Sequence, residues 1–264
     1  MTPEMLAEAA GVLISSRTNA VKVNALPENC RPSSAGDGYA IQKQVLVQNR
    51  VSQIGWKVAA TNAVTQAAFG ISEPFAGRLP GSALARSPFA AMKGRFNAPA
   101  VEGEFAVMLG DDLPPGGAPF DAASVAAAVA CVIPAVEVVD GVIGDRKEAG
   151  PSSNIAAGSV AGLVLGRPHF NWRELDLRTH PVALSVNGET VAEGTGAAVL
   201  GDPMNALAWL ANLCVALGEG LCAGEIITLG TCTGLTPVSA GDLVSVDYGA
   251  LGTVELAFWT TESP

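Results

Sequence analysis

Histidine is scarce in this sequence of 264 residues, which contains only His169 and His180. The five cysteines are odd in number and form no C-x-x-C pair, which argues against both a disulfide framework and a zinc site. All five lie in or beside apolar stretches and are predicted to be core residues. Chemistry near neutral pH must therefore depend on carboxylates, lysine, cysteine or a metal ion.

Positive charge is also in short supply. The chain has 15 Lys plus Arg against 25 Asp plus Glu, a formal net charge of -10 that repels a phosphate backbone. No apolar run reaches the ~18–20 residues that a membrane span needs, and Glu4 and Glu8 stand where a secretory signal carries basic residues. We therefore expect a cytoplasmic protein with no nucleic-acid partner and no membrane association.

What the composition does offer is enough apolar material for a folded core. With 49% hydrophobic and 15% charged residues, the chain belongs among ordinary globular proteins, and disorder is excluded as its main state. Thr2 and Pro3 suit the cap and first turn of a helix, and a second helix is predicted over residues 39–51. Residues 1–53 are therefore predicted to form a small helical N-terminal region.

The remaining residues, 54–264, are predicted to form a single domain that mixes strands and helices. Near its start Trp56 and Lys57 belong to an alternating pattern, which predicts a half-buried strand with the lysine on the face opposite the tryptophan. Further along, Asn187 and Gly188 can supply the two positive φ angles of a type I′ hairpin turn.

Two other helices are marked by their ends. Thr61 or Asn62 can cap a short helix that Gly70 closes. Asp202 and Pro203 begin a longer helix with apolar residues at a spacing of three to four.

Glu102 and Glu104 lie two residues apart in the alternating segment VEGEFAVML. On a strand this spacing turns both side chains to one face, with Cα atoms about 6.5–7 Å apart. Two interpretations remain open at this point: the pair can bind a hard cation, or it can belong to an ordinary exposed strand face.

Glu137 favours the first interpretation. It lies between Val136 and Val138 in the β-branched segment 135–140, which follows Pro134 and predicts a strand. A carboxylate in such an apolar strand is rarely buried unless it is paired or bound to a metal. Oxygen ligands and scarce histidine favour Mg²⁺ or Mn²⁺ over zinc.

Five segments in one order identify a family resemblance: GWKVAATNAVTQAAFGISEP, VEGEFAVML, PAVEVVD, GTGAAVLGDPMNALAWLANL, and LCAGEIITLG with AGDLVSVDYGALGTVELAF. Together they resemble the fumarylacetoacetate hydrolase superfamily, in its branch of 2-keto-4-pentenoate hydratases and 2-oxo-3-hexenedioate (4-oxalocrotonate) decarboxylases. The resemblance covers nearly the whole chain from about residue 38 onward. It implies an α+β fold, a mixed β-roll or sandwich with outer helices behind the small helical N-terminal region.

The resemblance also implies site residues. Lys57 matches the lysine that faces the metal pocket, where it can bind the substrate carboxylate or pass a proton. Gly230 and Thr231 lie where relatives wrap a loop around the substrate, although a plain Gly-rich turn between strands explains them equally well. The implied ligands of a divalent metal, Mg²⁺ or Mn²⁺, are Glu102, Glu104 and Glu137.

From this branch we expect a hydro-lyase that adds water to a 2-hydroxy-2,4-dienoate of the 2-oxo-4-pentenoate type and yields a 4-hydroxy-2-oxo acid. The alternatives are a 2-oxo-3-enedioate decarboxylase, an acylpyruvate C–C hydrolase, and a degenerate metal-binding subunit of a hydratase–decarboxylase complex. The expected partner is a small 2-oxo or 2-hydroxy-dienoic acid. The chain is expected to form a homo-oligomer, or a complex with a related decarboxylase or hydratase.

The sequence departs from the family pattern at three places. Phe75 occupies the position of an aspartate in the family's Q-P-D-F-G-like stretch, and Ala156 occupies a serine position. The segment 140–154 is also a few residues shorter than its family equivalent. These departures remove acid–base candidates without removing the implied metal ligands.

Overall fold

The computed structural model describes residues 1–92, 94–158 and 160–259. Within these residues lie six α-helices: α1 Pro3–Thr18, α2 Ala35–Asn49, α3 Ala63–Phe69, α4 Ala122–Ala128, α5 Arg146–Ala156 and α6 Pro203–Ala216. The strands of the same residues are β1 Gln53–Ala59, β2 Phe75–Pro80, β3 Leu84–Arg86, β4 Phe89–Ala91, β5 Ala100–Leu109, β6 Val129–Val139, β7 Gly162–Leu165, β8 Pro181–Val186, β9 Glu189–Thr195, β10 Ile226–Thr231, β11 Thr236–Pro237, β12 Leu243–Asp247 and β13 Thr253–Phe258.

The strands form two mixed sheets. The larger has eight strands in the order β2-β1-β10-β5-β6-β7-β3, with β11 pairing to β5, and the smaller has five in the order β4-β13-β12-β8-β9. Gly103 on β5 faces the smaller sheet, because a Cβ built there would lie 3.0 Å from Val246 and 3.1 Å from Val182. The main core lies between the sheets, so the α+β fold class is confirmed.

The opposite face of the larger sheet is partly covered by helices. Helix α2 contacts α1, α5 and β2, and a small apolar core that includes Leu13, Ile41 and Ala156 joins these helices. Gln42 on α2 is fully buried, and its Nε2 donates to the carbonyls of Ala76 (3.0 Å) and Ile155 (2.6 Å). A helix of the N-terminal part is thereby bound to the sheet and to α5 by hydrogen bonds whose loss in a buried position is costly.

Several local predictions are confirmed. Asn62 is the N-cap of α3, and Gly70 ends that helix with φ +67°. Asn187 and Gly188 have φ +53° and +86° in the turn between β8 and β9. Asp202 caps α6 by accepting from the N–H of Met204 at 2.8 Å.

Three predictions were wrong. Cys222 is exposed, although all five cysteines were predicted to be core residues. Strand β6 does not begin after Pro134 but at Val129, and it pairs Pro134 with Phe105 of β5. On its other side β7 pairs with residues 135–138 and ends before the proline, where the N–H of Gly166 still donates to the carbonyl of Pro134 at 2.8 Å. Strand β1 is not half-buried, because the face carrying Lys57 is covered as well.

The stretch Gly196–Ala216, with mean hydropathy 1.2, is long and apolar enough to cross a membrane by length and composition alone. Half of it is buried inside the protein, and α6 within it contacts α4, β1 and β10. A buried helix in the core of a folded protein meets the same criteria of length and composition. The contacts of α6 with α4, β1 and β10 account for its apolar composition.

Candidate metal centre

Three glutamates meet on one face of the larger sheet. The register of β5 and β6 places Glu102 directly opposite Glu137, and Glu104 follows two residues later on the same face. One carboxylate oxygen from each of the three lies within 4.8 Å of the other two. The structure therefore brings together the residues that the sequence analysis proposed as ligands.

Tyr248 fixes the backbone beside this cluster. Its hydroxyl accepts the N–H of Glu104 at 3.1 Å and donates to the carbonyl of Ala135, the residue paired with Glu104. The hydroxyl thus lies between β5 and β6, at the position that a direct backbone hydrogen bond between the two strands would occupy. Its ring is fully buried and packs edge-to-face on Phe105, with centroids 5.7 Å apart. We conclude that Tyr248 sets the local separation of the two strands that carry the glutamates.

Burial makes ionisation of these carboxyl groups unfavourable. Desolvation, followed by repulsion from Glu137, raises the pKa of Glu102 to about 7. The same two causes, with added repulsion from Glu102, raise the pKa of Glu104 well above its usual range. Three carboxylates held so closely without a compensating charge are a costly arrangement, and a bound cation would remove that cost.

Lys57 supplies one positive charge to the cluster. It extends from β1, and its Nζ lies 2.9 Å from Oε1 of Glu137. Burial lowers the pKa of Lys57, but attraction from Glu137, with smaller contributions from the other two glutamates, outweighs it and leaves the pKa above its ordinary value. Lys57 is therefore an ammonium group at neutral pH.

Gly77 makes room for this lysine. It pairs with Lys57 in the β1–β2 register, and a Cβ at Gly77 would lie 2.9 Å from Cε of Lys57 and 2.0 Å from the carbonyl oxygen of Gly158. No side chain fits that space. The path of Lys57 toward the cluster thus depends on a glycine on the neighbouring strand.

The end of β10 lies beside the cluster, and Gly230 and Thr231 are the last two residues of this strand rather than part of a loop. Gly230 has φ +114°, and its N–H donates to Oε2 of Glu104 at 3.3 Å. The hydroxyl of Thr231 accepts the N–H of Gly234 at 2.8 Å. Within the described part of the chain, neither Gly230 nor Thr231 lines the cavity that contains Lys57. Gly230 donates to a proposed ligand, and contact of Gly230 and Thr231 with substrate stays a prediction.

A small open cavity leads to Lys57 and Glu137. Phe69 and Phe75 line it and contact each other edge-to-face at 5.1 Å between ring centroids. Among the other lining residues are Arg17, Val139, Asp140, Arg146, Asn154, Ala157, Gly158 and Ala161. The cavity therefore has a charged floor, formed by Lys57 and Glu137, next to an apolar wall formed by Phe69 and Phe75.

The two departures from the family pattern lie in different surroundings. Phe75 is part of the cavity wall, so an apolar ring occupies the place of the family's aspartate. Ala156 is buried in the small apolar core beneath α1 and α2 and does not line this cavity. Only the change at position 75 alters the chemistry of the cavity directly.

The donor set suits a divalent metal ion. Three carboxylate oxygens lie close enough to share one ion, and neither a thiolate nor an imidazole belongs to the cluster. The fold and the site together define an α+β protein with an acidic cluster on its larger sheet whose donor set suits a divalent metal ion.

Comparison with known families agrees with this description. The family described as fumarylacetoacetate (FAA) hydrolase C-terminal matches residues 58–258. The chain belongs to the fumarylacetoacetate hydrolase family, in its branch of 2-keto-4-pentenoate hydratases and 4-oxalocrotonate decarboxylases. The resemblance stated from the sequence is therefore confirmed.

Individual relatives cover almost the whole chain. It is 32% identical over 262 residues to a 2-keto-4-pentenoate hydratase of Paraburkholderia xenovorans (strain LB400). The aligned region covers 98% of this chain and 96% of the relative. It is 33% identical over 225 residues to a 4-oxalocrotonate decarboxylase of Pseudomonas putida, 84% of each chain. The solved 4-oxalocrotonate decarboxylase from Pseudomonas putida G7, complexed with calcium and acetate, superimposes with a TM-score of 0.89 at 30% identity, covering 98% of both chains.

Some residues of the site were not anticipated from the sequence. Phe69 was assigned only to a short helix, Tyr248 entered only as part of a family segment, and Arg17 and Arg146 carried no motif. Their positions depend on contacts between distant segments, which local periodicity does not encode. For Phe75 a signal existed, because it stands at a position where the family carries an acid.

Proposed function

We propose that this protein is a metal-dependent hydratase, a hydro-lyase that adds water to a 2-hydroxy-2,4-dienoate and yields a 4-hydroxy-2-oxo acid. The observation that carries the proposal is the Lys57–Glu137 ion pair at the floor of the cavity, beside two further carboxylates. The relatives named 2-keto-4-pentenoate hydratase, at 32% identity over nearly the full length, support it.

Glu102, Glu104 and Glu137 are the residues that would hold Mg²⁺ or Mn²⁺, since both ions prefer hard oxygen donors. When bound, the ion supplies positive charge that stabilises negative charge on the C2 oxygen of the substrate. Structures of a related decarboxylase complexed with calcium and with magnesium support the assignment of a divalent cation.

Lys57 is the proton donor in this proposal. Its ammonium Nζ, held by Oε1 of Glu137, donates a proton to C5 of the dienol as the double bonds shift. The proton released from the C2 hydroxyl restores the ammonium group. Water then adds across the C3–C4 double bond, with hydroxyl to C4 and hydrogen to C3, so that the sum is substrate plus one water.

Phe69 and Phe75 contact the unsaturated carbon chain in this arrangement. Their rings form an apolar wall next to the charged floor, which favours a flat hydrocarbon segment and limits water around Lys57. Because Phe75 carries no ionisable group, proton transfer depends on the lysine and on water.

The assembly and location of the protein belong to the same proposal. We infer a cytoplasmic homo-oligomer, and a complex with a related decarboxylase as the alternative assembly. The acidic composition and the membership in a family of metabolic enzymes support this inference.

A second candidate function is decarboxylation of a 2-oxo-3-enedioate. The close superposition on 4-oxalocrotonate decarboxylase, at a TM-score of 0.89, favours it. Loss of CO₂ from a 2-oxo-3-enedioate breaks the C5–C6 bond, and the electron pair passes through the C3–C4 double bond to the C2 oxygen. The C5–C6 bond must therefore lie out of the conjugated plane, whereas hydration needs no second carboxylate and in both reactions the C1 carboxylate stays in place. The two reactions therefore give different products, although the same site can begin both of them.

Product analysis distinguishes these candidates. The purified protein is incubated with Mg²⁺ and 2-hydroxypenta-2,4-dienoate, and the dienol absorbance and the product masses are followed. Gain of one water supports the hydratase, and release of CO₂ from the corresponding enedioate without hydration supports the decarboxylase. Cleavage of acylpyruvates would support C–C hydrolysis, and Mg²⁺ binding without any turnover would support a degenerate partner subunit.

A further inference from the structure

Thr228 on β10 carries a buried hydroxyl group that the proposed reaction does not use. The residue is fully buried, and across the described ranges its Oγ1 meets no group at both the distance and the angle of a hydrogen bond. A buried hydroxyl without a partner is unfavourable. Valine has nearly the same shape without this cost, so packing alone does not explain a threonine at this position.

The strand register places this hydroxyl on the face that carries the three glutamates. Thr228 lies directly opposite Ala106 on β5, and Glu104 is two residues from Ala106 on the same face. On its other side, Thr228 pairs with Lys57 of β1. Thr228 therefore lies on β10 between the strand of the lysine and the strand of Glu104.

Thr228 does not reach the cavity that leads to Lys57. It is fully buried, and the described residues that line this cavity do not include it. Two residues earlier on β10, Ile226 packs against an apolar cluster that includes Ala106 and Ile133. Thr228 thus lies at the boundary between this apolar cluster and the acidic one. A role in the site must therefore act through one of the glutamates and not through contact with substrate.

The carboxyl group of Glu104 is the group on which Thr228 acts. Its Oε2 already accepts the N–H of Gly230, two residues further along β10, at 3.3 Å. Burial, followed by repulsion from Glu137, raises the pKa of Glu104, whereas the hydroxyl of Thr228 lowers it. A carboxylate has about four lone-pair positions, so two donors from β10 leave the remaining positions for a cation.

We propose that Thr228 is a positioning residue of the metal centre, whose hydroxyl donates to the carboxylate of Glu104 and holds it in the orientation that binds the cation. The inference rests on the metal binding in the proposed function and not on the reaction. A hydroxyl that donates to a charged carboxylate forms a stronger hydrogen bond than one between neutral groups. Outer-shell partners of this kind typically change metal affinity by about 10- to 100-fold.

Two substitutions separate the hydroxyl of Thr228 from its methyl group. Thr228→Val keeps the shape and removes the hydroxyl, so the dissociation constant for Mg²⁺ should rise by about 10-fold in calorimetry. The melting temperature of this variant with a chelator should not fall, because the lost hydroxyl has no partner there. Thr228→Ser keeps the hydroxyl and should bind Mg²⁺ like the wild type, with a lower melting temperature because a buried methyl group is lost.

Ser153→Ala is the matched control. Ser153 on α5 is buried, and its hydroxyl likewise has no hydrogen-bond partner within the part of the chain that the structure describes. Its removal should leave Mg²⁺ affinity unchanged. Weakened Mg²⁺ binding in Thr228→Ser together with wild-type binding in Thr228→Val would assign Thr228 to packing and overturn the inference.

Turnover measurements on the same preparations separate this inference from the proposed function. If the wild type binds Mg²⁺ without hydrating a dienoate, the hydratase proposal fails, and weaker binding in Thr228→Val still supports the positioning role. If the wild type hydrates the dienoate and Thr228→Val binds Mg²⁺ as tightly as the wild type, only the positioning role fails.

Discussion

Glu104 is almost completely buried, and it accepts the N–H of Gly230 on the strand beside it. As a proposed ligand it is the residue whose charge the protein is least able to solvate. Replacement by glutamine keeps the shape and removes the charge. For this reason Glu104 provides the sharpest test of the metal site.

Glu104→Gln should weaken Mg²⁺ binding by at least about 10-fold, since even outer-shell changes have effects of that size. The melting temperature of the metal-free protein should not fall. The substitution removes a buried carboxyl group whose ionised form is unfavourable, as its raised pKa shows. Calorimetric titration with Mg²⁺ measures the affinity, and Glu189→Gln on an exposed strand end is the control. Unchanged affinity in Glu104→Gln would remove this residue from the ligand set.

Lys57→Gln should separate metal binding from turnover. Loss of a positioned proton donor typically lowers kcat by about 100- to 10,000-fold, while the three carboxylates remain to bind Mg²⁺. The measurement pairs steady-state kinetics with Mg²⁺ calorimetry on the same preparation. Full turnover in this variant would show that the lysine serves only to neutralise Glu137.

Tyr248→Phe removes the hydroxyl that lies between β5 and β6. Two buried backbone groups lose their partner, so the free energy of unfolding should fall by about 1–3 kcal/mol. We also expect Mg²⁺ affinity to fall by about 10-fold, since the strands that carry the ligands are no longer held at the same separation.

Tyr39→Phe is the matched control for Tyr248→Phe. The buried hydroxyl of Tyr39 accepts the N–H of Ala76 at 3.1 Å on β2, away from the ligand strands. It should lower stability without changing Mg²⁺ affinity. Equal losses of affinity in both variants would reduce Tyr248 to a general packing role.

At the scale of elements, β1, β2 and α5 meet where Gly77 faces Gly158. Gly77→Ala should lower the free energy of unfolding by about 1–3 kcal/mol, as overpacking does, and should reduce turnover by displacing Lys57. Gly81→Ala is the control, because its Cβ would lie 3.5 Å from Ile54, an ordinary contact. Urea unfolding and initial rates measure both effects. A stable, active Gly77→Ala protein would mean that β2 and the end of α5 are free to move apart.

At the scale of the whole molecule, the raised pKa values make stability depend on pH in a defined direction. The ordinary glutamate pKa is about 4.3, whereas that of Glu102 is about 7 in the folded protein and that of Glu104 is also raised well above the ordinary value. Between these values the folded state binds more protons than the unfolded state. Metal-free stability is therefore greatest at mildly acidic pH and falls as pH rises through about 7.

Thermal unfolding at several pH values between 5.5 and 8.5 tests this dependence. With a chelator, the melting temperature should decrease as pH rises. With Mg²⁺ the decrease should vanish or reverse, because metal binding requires ionised carboxylates and becomes stronger at higher pH. The raised pKa of Lys57 does not oppose this trend, since its ammonium form persists throughout the range. A melting temperature that rises with pH in the chelator would contradict the burial of unpaired carboxyl groups.

The sequence by itself determined the features that depend on near neighbours. The caps at Asn62 and Asp202 follow from side chains that bond to N–H groups two or three residues ahead. The shared face of Glu102 and Glu104 follows from the two-residue period of a strand. The family, and with it the α+β fold, followed from motifs read in order along the chain.

The tertiary structure decided what distant segments do to one another. The β5–β6 register placed Glu137 opposite Glu102, and cover from other segments buried Lys57, which sequence periodicity had assigned to an open face. Pro134 proved compatible with a strand interior because its neighbour β7 ends at Leu165, which pairs with Ala135. Arg17 and Arg146 entered one cavity although 128 residues separate them. Register, burial and side-chain convergence are properties of contacts between segments, and a pattern within one segment does not contain them.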